Sequence, residues 1–168
     1  MNLAIEFIVR SVLIGDAATF TMDLGAAALR RLGVPSLDLA FLGRWIGLLR
    51  RGRRFRESIA RAAPVRGELL IGWCAHCSIG ASFAALLLAV FGVRWARSPT
   101  LPPAPLIGLV TVAAPLLILQ PALGAGIASS RTPFPVLNSV KSLITHGVFG
   151  LGLHLAARAT APLLPAMS

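Results

Sequence analysis

The chain has 168 residues, 56% of them hydrophobic and 13% charged, with a mean hydropathy of +0.79 and a formal net charge of +10. A soluble domain carries about a quarter charged residues, so this composition argues against an ordinary soluble globule and for an integral membrane protein. Its sixteen basic residues, all arginine except Lys141, gather mainly in one loop between apolar stretches, unlike the dispersed basic surface of a nucleic-acid binder.

A bilayer span takes about 20 predominantly apolar residues, and four segments qualify. The first, residues 3–30, is interrupted by Glu6, Arg10, Asp16 and Asp23, which argues against a cleaved signal peptide and for a mature span. Next comes "PSLDLAFLGRWIGLLRRGRRFRESIARAAP". Ser36 is a candidate N-cap, and Leu37, Phe41, Trp45 and Leu48 share one stripe, predicting a short amphipathic helix in the interface with its arginines toward anionic headgroups. Arg50, Arg51, Arg53, Arg54 and Trp45 are the candidates for contact with the membrane surface or a partner. This loop, residues 31–67, also contains Arg44, Arg56 and Arg61. By the bias of arginine toward the cytoplasmic side it lies inside, with both termini outside. The remaining spans are 68–93, 104–128 (interrupted by Pro115 and Pro121) and 137–157. The expected fold is a single all-α domain over 1–168, an integral membrane four-helix bundle with an interfacial helix between spans one and two.

Counting depth at 1.5 Å per residue, Asp23, His76, Gln120 and His146 fall at one level, roughly 12–14 Å from the cytoplasmic ends of their spans. Each span contributes one strongly polar residue. Asp16 lies two turns beyond Asp23 on nearly the same face, with Thr19 between them, and Ser82 and His154 stand at similar depth or slightly higher. An ionisable group in hydrocarbon costs at least about 2.5–3.5 kcal/mol, so Asp16 and Asp23 are expected to face the interior. Polar residues can also simply hold helices together, each hydrogen bond contributing about 0.6 kcal/mol. A carboxylate, two histidines and an amide at one level favour a site that binds a ligand or relays a proton.

Pro121 cannot donate to the Leu117 carbonyl, and Pro115 leaves that of Thr111 free. Such interrupted spans often line a binding cavity, although a plain kink with close-packing glycines explains the pattern equally well. A weak internal echo also appears: Gly80 follows His76 by four residues, as Gly150 follows His146, and "LGA" recurs at 24–26 and 123–125. "WCAHC" contains Cys74 and Cys77 on one helical face, but zinc would need further ligands and a redox pair favours a helix N-terminus. These cysteines read as core packing, and no metal site is expected.

At "GDAATFTMD", "PSLDLAFLGRWIG" and "QPALGAGIASSRTP" the chain resembles a family of small bacterial four-span membrane proteins, domain of unknown function 2938. The resemblance covers nearly the whole chain, and the matching motifs include Asp23, Gln120 and Pro121. It implies a bacterial inner-membrane location and a helical architecture, and it supplies no activity and no cofactor.

The leading expectation is that the polar layer binds or transports a proton, cation or small polar ligand. Asp23 would supply charge, the histidines would relay protons near neutral pH, and Gln120 would orient the ligand. Four spans enclose little space, which favours a homo-oligomer or a subunit of a larger complex, with Gly147, Gly150 and Gly152 available for close contact. The rival is a non-catalytic accessory subunit whose basic loop docks a partner or anionic lipid. A membrane-embedded enzyme acting on a lipid or quinone ranks last, since no substrate motif supports it.

Overall fold

Asn2 opens the first helix, its side-chain oxygen accepting the Ala4 N–H at 3.0 Å, and α1 then runs from Leu3 to Arg31. The computed structural model describes residues 2–34, 36–50, 52 and 58–163, and the chain is helical with no strand among the described residues. The charges early in α1 do not break it because they neutralise one another along the helix. Arg10 Nε donates to Glu6 Oε1 at 2.9 Å, four residues apart, and both side chains are buried.

The second helix, α2, spans Leu39–Arg50. Its cap is Asp38 rather than Ser36: Asp38 immediately precedes the first helical residue, so its Oδ1 reaches the Ala40 N–H at 2.9 Å. Ser36 Oγ instead accepts from Arg30 Nη1 at 2.6 Å. α2 lies on α3, Glu68–Phe91. The two backbones come so close that a Cβ at Gly43 would enter the Glu68 carbonyl, and one at Gly72 the Leu39 carbonyl.

Arg44 sits inside the apolar stripe of α2 and is 8% exposed. Its Nη2 and Nε donate to the two Glu68 oxygens at 2.7 and 2.8 Å, and its Nη1 to the Ala62 and Ile59 carbonyls at 3.1 and 3.4 Å. The Glu68 carboxylate holds the Arg44 guanidinium above its usual pKa. Glu68 also accepts the Val65 N–H at 2.8 Å. One charge of the basic loop is therefore an internal strut. Trp45 and Phe41 pack beside it against Leu48, Ile59, Ala62 and Val65. Arg50 is exposed, whereas Arg51, Arg53 and Arg54 lie outside the described residues.

Gly92, at φ 80°, ends α3 and starts the short α4, Val93–Arg97. Here Arg97 Nε and Nη2 donate to the two oxygens of Glu6 at 2.9 and 2.6 Å, while Arg10 Nη1 reaches the Ala96 carbonyl at 3.3 Å. The expected third span is a broken helix: α5 over Pro103–Thr111, a π-helical turn over Pro115–Leu119, and α6 over Gln120–Ala122. It stops six residues before the expected end because Gly124 and Gly126 adopt φ 88° and 77°, a region open to glycine. The last helix, α7, runs Pro135–Thr160 with proline at its first position.

α1 packs on α3 and α7, and α5 packs on α7 with a lighter contact to α3. The crossings rest on glycine: a Cβ at Gly15 would lie 2.5 Å from Ala81 Cα, and one at Gly108 2.6 Å from Gly150 Cα. Gly150 and Gly152 thus serve contacts inside the chain, with Pro105 and with Ala18, whereas Gly147 has open space around it. Large apolar side chains point outward on every long element, among them Phe20, Leu70, Ile118 and Leu155. Among the described residues, two stretches, Glu68–Phe91 and Pro103–Ala122, are long and apolar enough to cross a membrane by length and composition; four were expected.

Replacing Arg44 with Met leaves the Glu68 carboxylate uncompensated and should lower unfolding stability by about 3–5 kcal/mol. The double variant Arg44→Met/Glu68→Leu should recover part of that loss, measured by chemical unfolding of both proteins beside the parent.

Candidate functional site

α1 and α3 are antiparallel neighbours, and their longer polar side chains meet one turn before Gly80 on α3 and two turns after Gly15 on α1. His76 Nε2 stands 3.0 Å from Asp23 Oδ1, with the two side chains 15% and 26% exposed. Asp23 is acceptor-only when ionised, so His76 presents Nε2–H to it. The Trp73 and His76 rings meet in a T-shaped arrangement, centroids 6.1 Å apart.

His146 makes a second pairing, between α7 and α5. Thr111 Oγ1 lies 2.8 Å from the Gly108 carbonyl and 3.1 Å from His146 Nδ1. A hydroxyl has one proton, and a carbonyl can only accept it. The Thr111 proton therefore goes to Gly108, and Thr111 accepts from His146 Nδ1–H, leaving Nε2 as the acceptor. Phe83 and Phe149 flank the imidazole at centroid distances of 6.3 Å each.

Gln120 joins neither pair. Its Nε2 donates to Ser142 Oγ at 3.2 Å, one turn before His146 on α7 and so about 6 Å away along the helix. The count of depth put Gln120 opposite His146; Thr111 occupies that place, because the helix ends at Ala122 and Gln120 stands two residues from that end instead of about eight. Gln120 Oε1 is buried and has no partner.

Thr19 is 2% exposed, its Oγ1 lacks a partner, and it presses against Gly80. Asp16 departs from its expected place: it is exposed. Asp16 and Asp23 both lie roughly 80–100° around α1 from the Gly15 contact direction, at the edge of the interface. Asp23 is drawn in by the long His76 side chain, whereas beside Asp16 the helices meet at Gly15 and Gly80, whose hydrogens reach nothing. Cys74 is exposed, Cys77 half-buried, and both are free thiols. His154 Nδ1 is buried without a partner.

Sequence reasoning passed over Thr111, Ser142 and the two phenylalanines. Ser142 had a signal, lying four residues before His146 on the same helical face. Thr111 had one too, as the residue whose carbonyl Pro115 leaves unbonded. Phe83 and Phe149 had none beyond ordinary core character.

A family profile described as "Protein of unknown function (DUF2938)" matches residues 12–160. No curated protein and no solved structure matches the chain.

Thr111→Val should shift His146 toward its Nε2–H tautomer, read from its ¹⁵N ring resonances. It should also destabilise the fold by about 0.5–1.5 kcal/mol, the net loss of one hydrogen bond. An unchanged tautomer pattern would refute the assignment.

Proposed function

The chain belongs to the DUF2938 family, and from its interior chemistry we propose that it is a multi-pass membrane protein whose Asp23–His76 pair takes up and releases a proton, coupled to His146, in binding or moving a small ion. The single observation that carries this reading is the 3.0 Å contact between His76 Nε2 and Asp23 Oδ1, a carboxylate and an imidazole between helices whose outer faces are apolar. An ionisable pair at that depth is costly unless it has work to do.

The membrane itself is supported by the inverted surface. Leu13, Phe20, Trp73, Leu109, Ile118 and Ile144 are exposed, while Glu6, Arg10 and Thr111 are buried. Apolar patches on soluble monomers rarely exceed a few hundred Å², and here they recur on all four long elements. We take α1, α3, the broken α5–α6 and α7 as the four spans. Arg31, Arg50, Arg61 and Arg66, all exposed, then lie at the cytoplasmic surface, against anionic headgroups.

Under the same reading, Asp16 stands on the outer face of α1 between Leu13 and Phe20. A carboxylate in lipid costs at least about 2.5–3.5 kcal/mol, so a second copy of the chain covers it, and the protein acts as a homo-oligomer.

In proteoliposomes carrying a pH-sensitive dye, Asp23→Asn and His76→Ala should retain the folded state and abolish proton uptake. Lost stability with no change in any ion or pH response would favour the rival, an accessory subunit whose polar residues only bind helices together. Asp16→Lys should lower the oligomeric fraction counted by single-molecule photobleaching in bilayers; an unchanged fraction would remove the second copy from Asp16.

A further inference from the structure

The broken helix contains a set of oxygen acceptors that the Asp23–His76 pair does not use. Ser142 Oγ lies 3.1 Å from the Asn138 carbonyl, which takes its proton. Ser142 can then only accept, so Gln120 must turn its amide nitrogen toward Ser142 and present Oε1 on the other side. That oxygen is buried and has no partner. Leaving a buried acceptor unmatched forfeits its hydration with nothing in return.

The backbone beside it is short of donors as well. The Gln120 N–H bonds to the Pro115 carbonyl in the π-helical register, so it is lost to Leu116, its α-helical partner. Pro121 has no N–H to give to Leu117. Two successive carbonyls, those of Leu116 and Leu117, thereby lose their α-helical donors. Leu116 is one turn before Gln120, and a helical side chain leans back over the turn that precedes it. Gln120 Oε1 and the Leu116 carbonyl are thus acceptors on one side of the same break.

We propose that Gln120 Oε1 and the freed carbonyls of Leu116 and Leu117 form a binding site for a small monovalent cation, an alkali ion or ammonium. Hard cations take carbonyl and amide oxygens as ligands, and unwound helices in membranes hold sodium in this way. No carboxylate belongs to the set, which matches a single positive charge better than a divalent ion. This site rests on the membrane reading of the fold but not on the proton step at Asp23 and His76.

The test uses the full chain in detergent micelles, titrated with sodium, potassium or ammonium chloride against N-methylglucamine chloride at constant ionic strength, with the thermal midpoint as readout. At least one of the three salts should raise the midpoint with saturation. Gln120→Leu and Pro121→Ala, which respectively remove the amide oxygen and return a donor to Leu117, should each raise the half-saturating concentration about tenfold or more, the loss of a contact of ~1.4 kcal/mol. Gln120→Glu keeps an acceptor and adds charge, so it should lower that concentration, which keeps the test decisive if Gln120→Leu fails to fold. Asp23→Asn should leave the response intact. No saturable rise with any salt would mean that Oε1 holds only water and would overturn the site. So would an unchanged response in Gln120→Leu and Pro121→Ala, or its loss in Asp23→Asn, which would move the cation to the carboxylate.

Discussion

An ionised side chain removed from water must find its counter-charge within the chain, and most of this architecture follows from that requirement. Glu6 is buried between Arg10 and Arg97, which joins the beginning of α1 to α4. Glu68 is clasped by Arg44, which joins α2 to the beginning of α3. Asp23 meets His76, which joins the middles of α1 and α3. Each pairing ties together two elements that propensity alone would leave free to slide, so the charges set the register while the small residues set the distance. The backbones approach closely enough for these side chains to reach one another because Gly15, Gly43, Gly72 and Gly80 stand at the crossings.

The helices were legible in the sequence because apolar runs and their punctuation are local. Asn2, Gly92 and Pro135 each act within a turn of where they stand, and the ends of α1 and α3 fall within two residues of expectation. The end of the third helix was misread because the left-handed geometry at Gly124 and Gly126 cannot be told from helical glycine by composition. At the site, the Asp23–His76 meeting was readable from depth, since two straight helices keep their count. Gln120 was not, because its depth was counted from residue 128 whereas the helix stops at Ala122. Arg44 was grouped with the surface arginines by charge, although its place in the Phe41–Leu48 stripe marked it as facing inward. Asp16 shows the opposite limit: azimuth alone does not say whether a facing residue is long enough to cover a carboxylate.

The echo between the two halves acquires a physical meaning in three dimensions. His76 and His146 are each followed after four residues by a glycine, and each of these, Gly80 and Gly150, sits at the crossing with the preceding long helix of its half. The glycine brings the partner backbone near, and the histidine one turn away bonds a polar group on it: Asp23 in the first half, Thr111 in the second. The same local solution, a close crossing followed by a polar clasp, is thus used twice. The halves differ in partner chemistry, carboxylate against hydroxyl, which gives two neighbouring imidazoles different electrostatic surroundings.

One bond outside the helices ties the interior to the arginine-rich segment. The Ile59 N–H donates to the Leu123 carbonyl at 3.0 Å, and Leu123 packs with Trp45 and Leu48. Leu123 directly follows α6, so this bond and the packing of Leu123 fasten the end of the broken helix to the Leu48 cluster beside α2. Gln120 is thereby held three residues from an anchor in the arginine-rich segment.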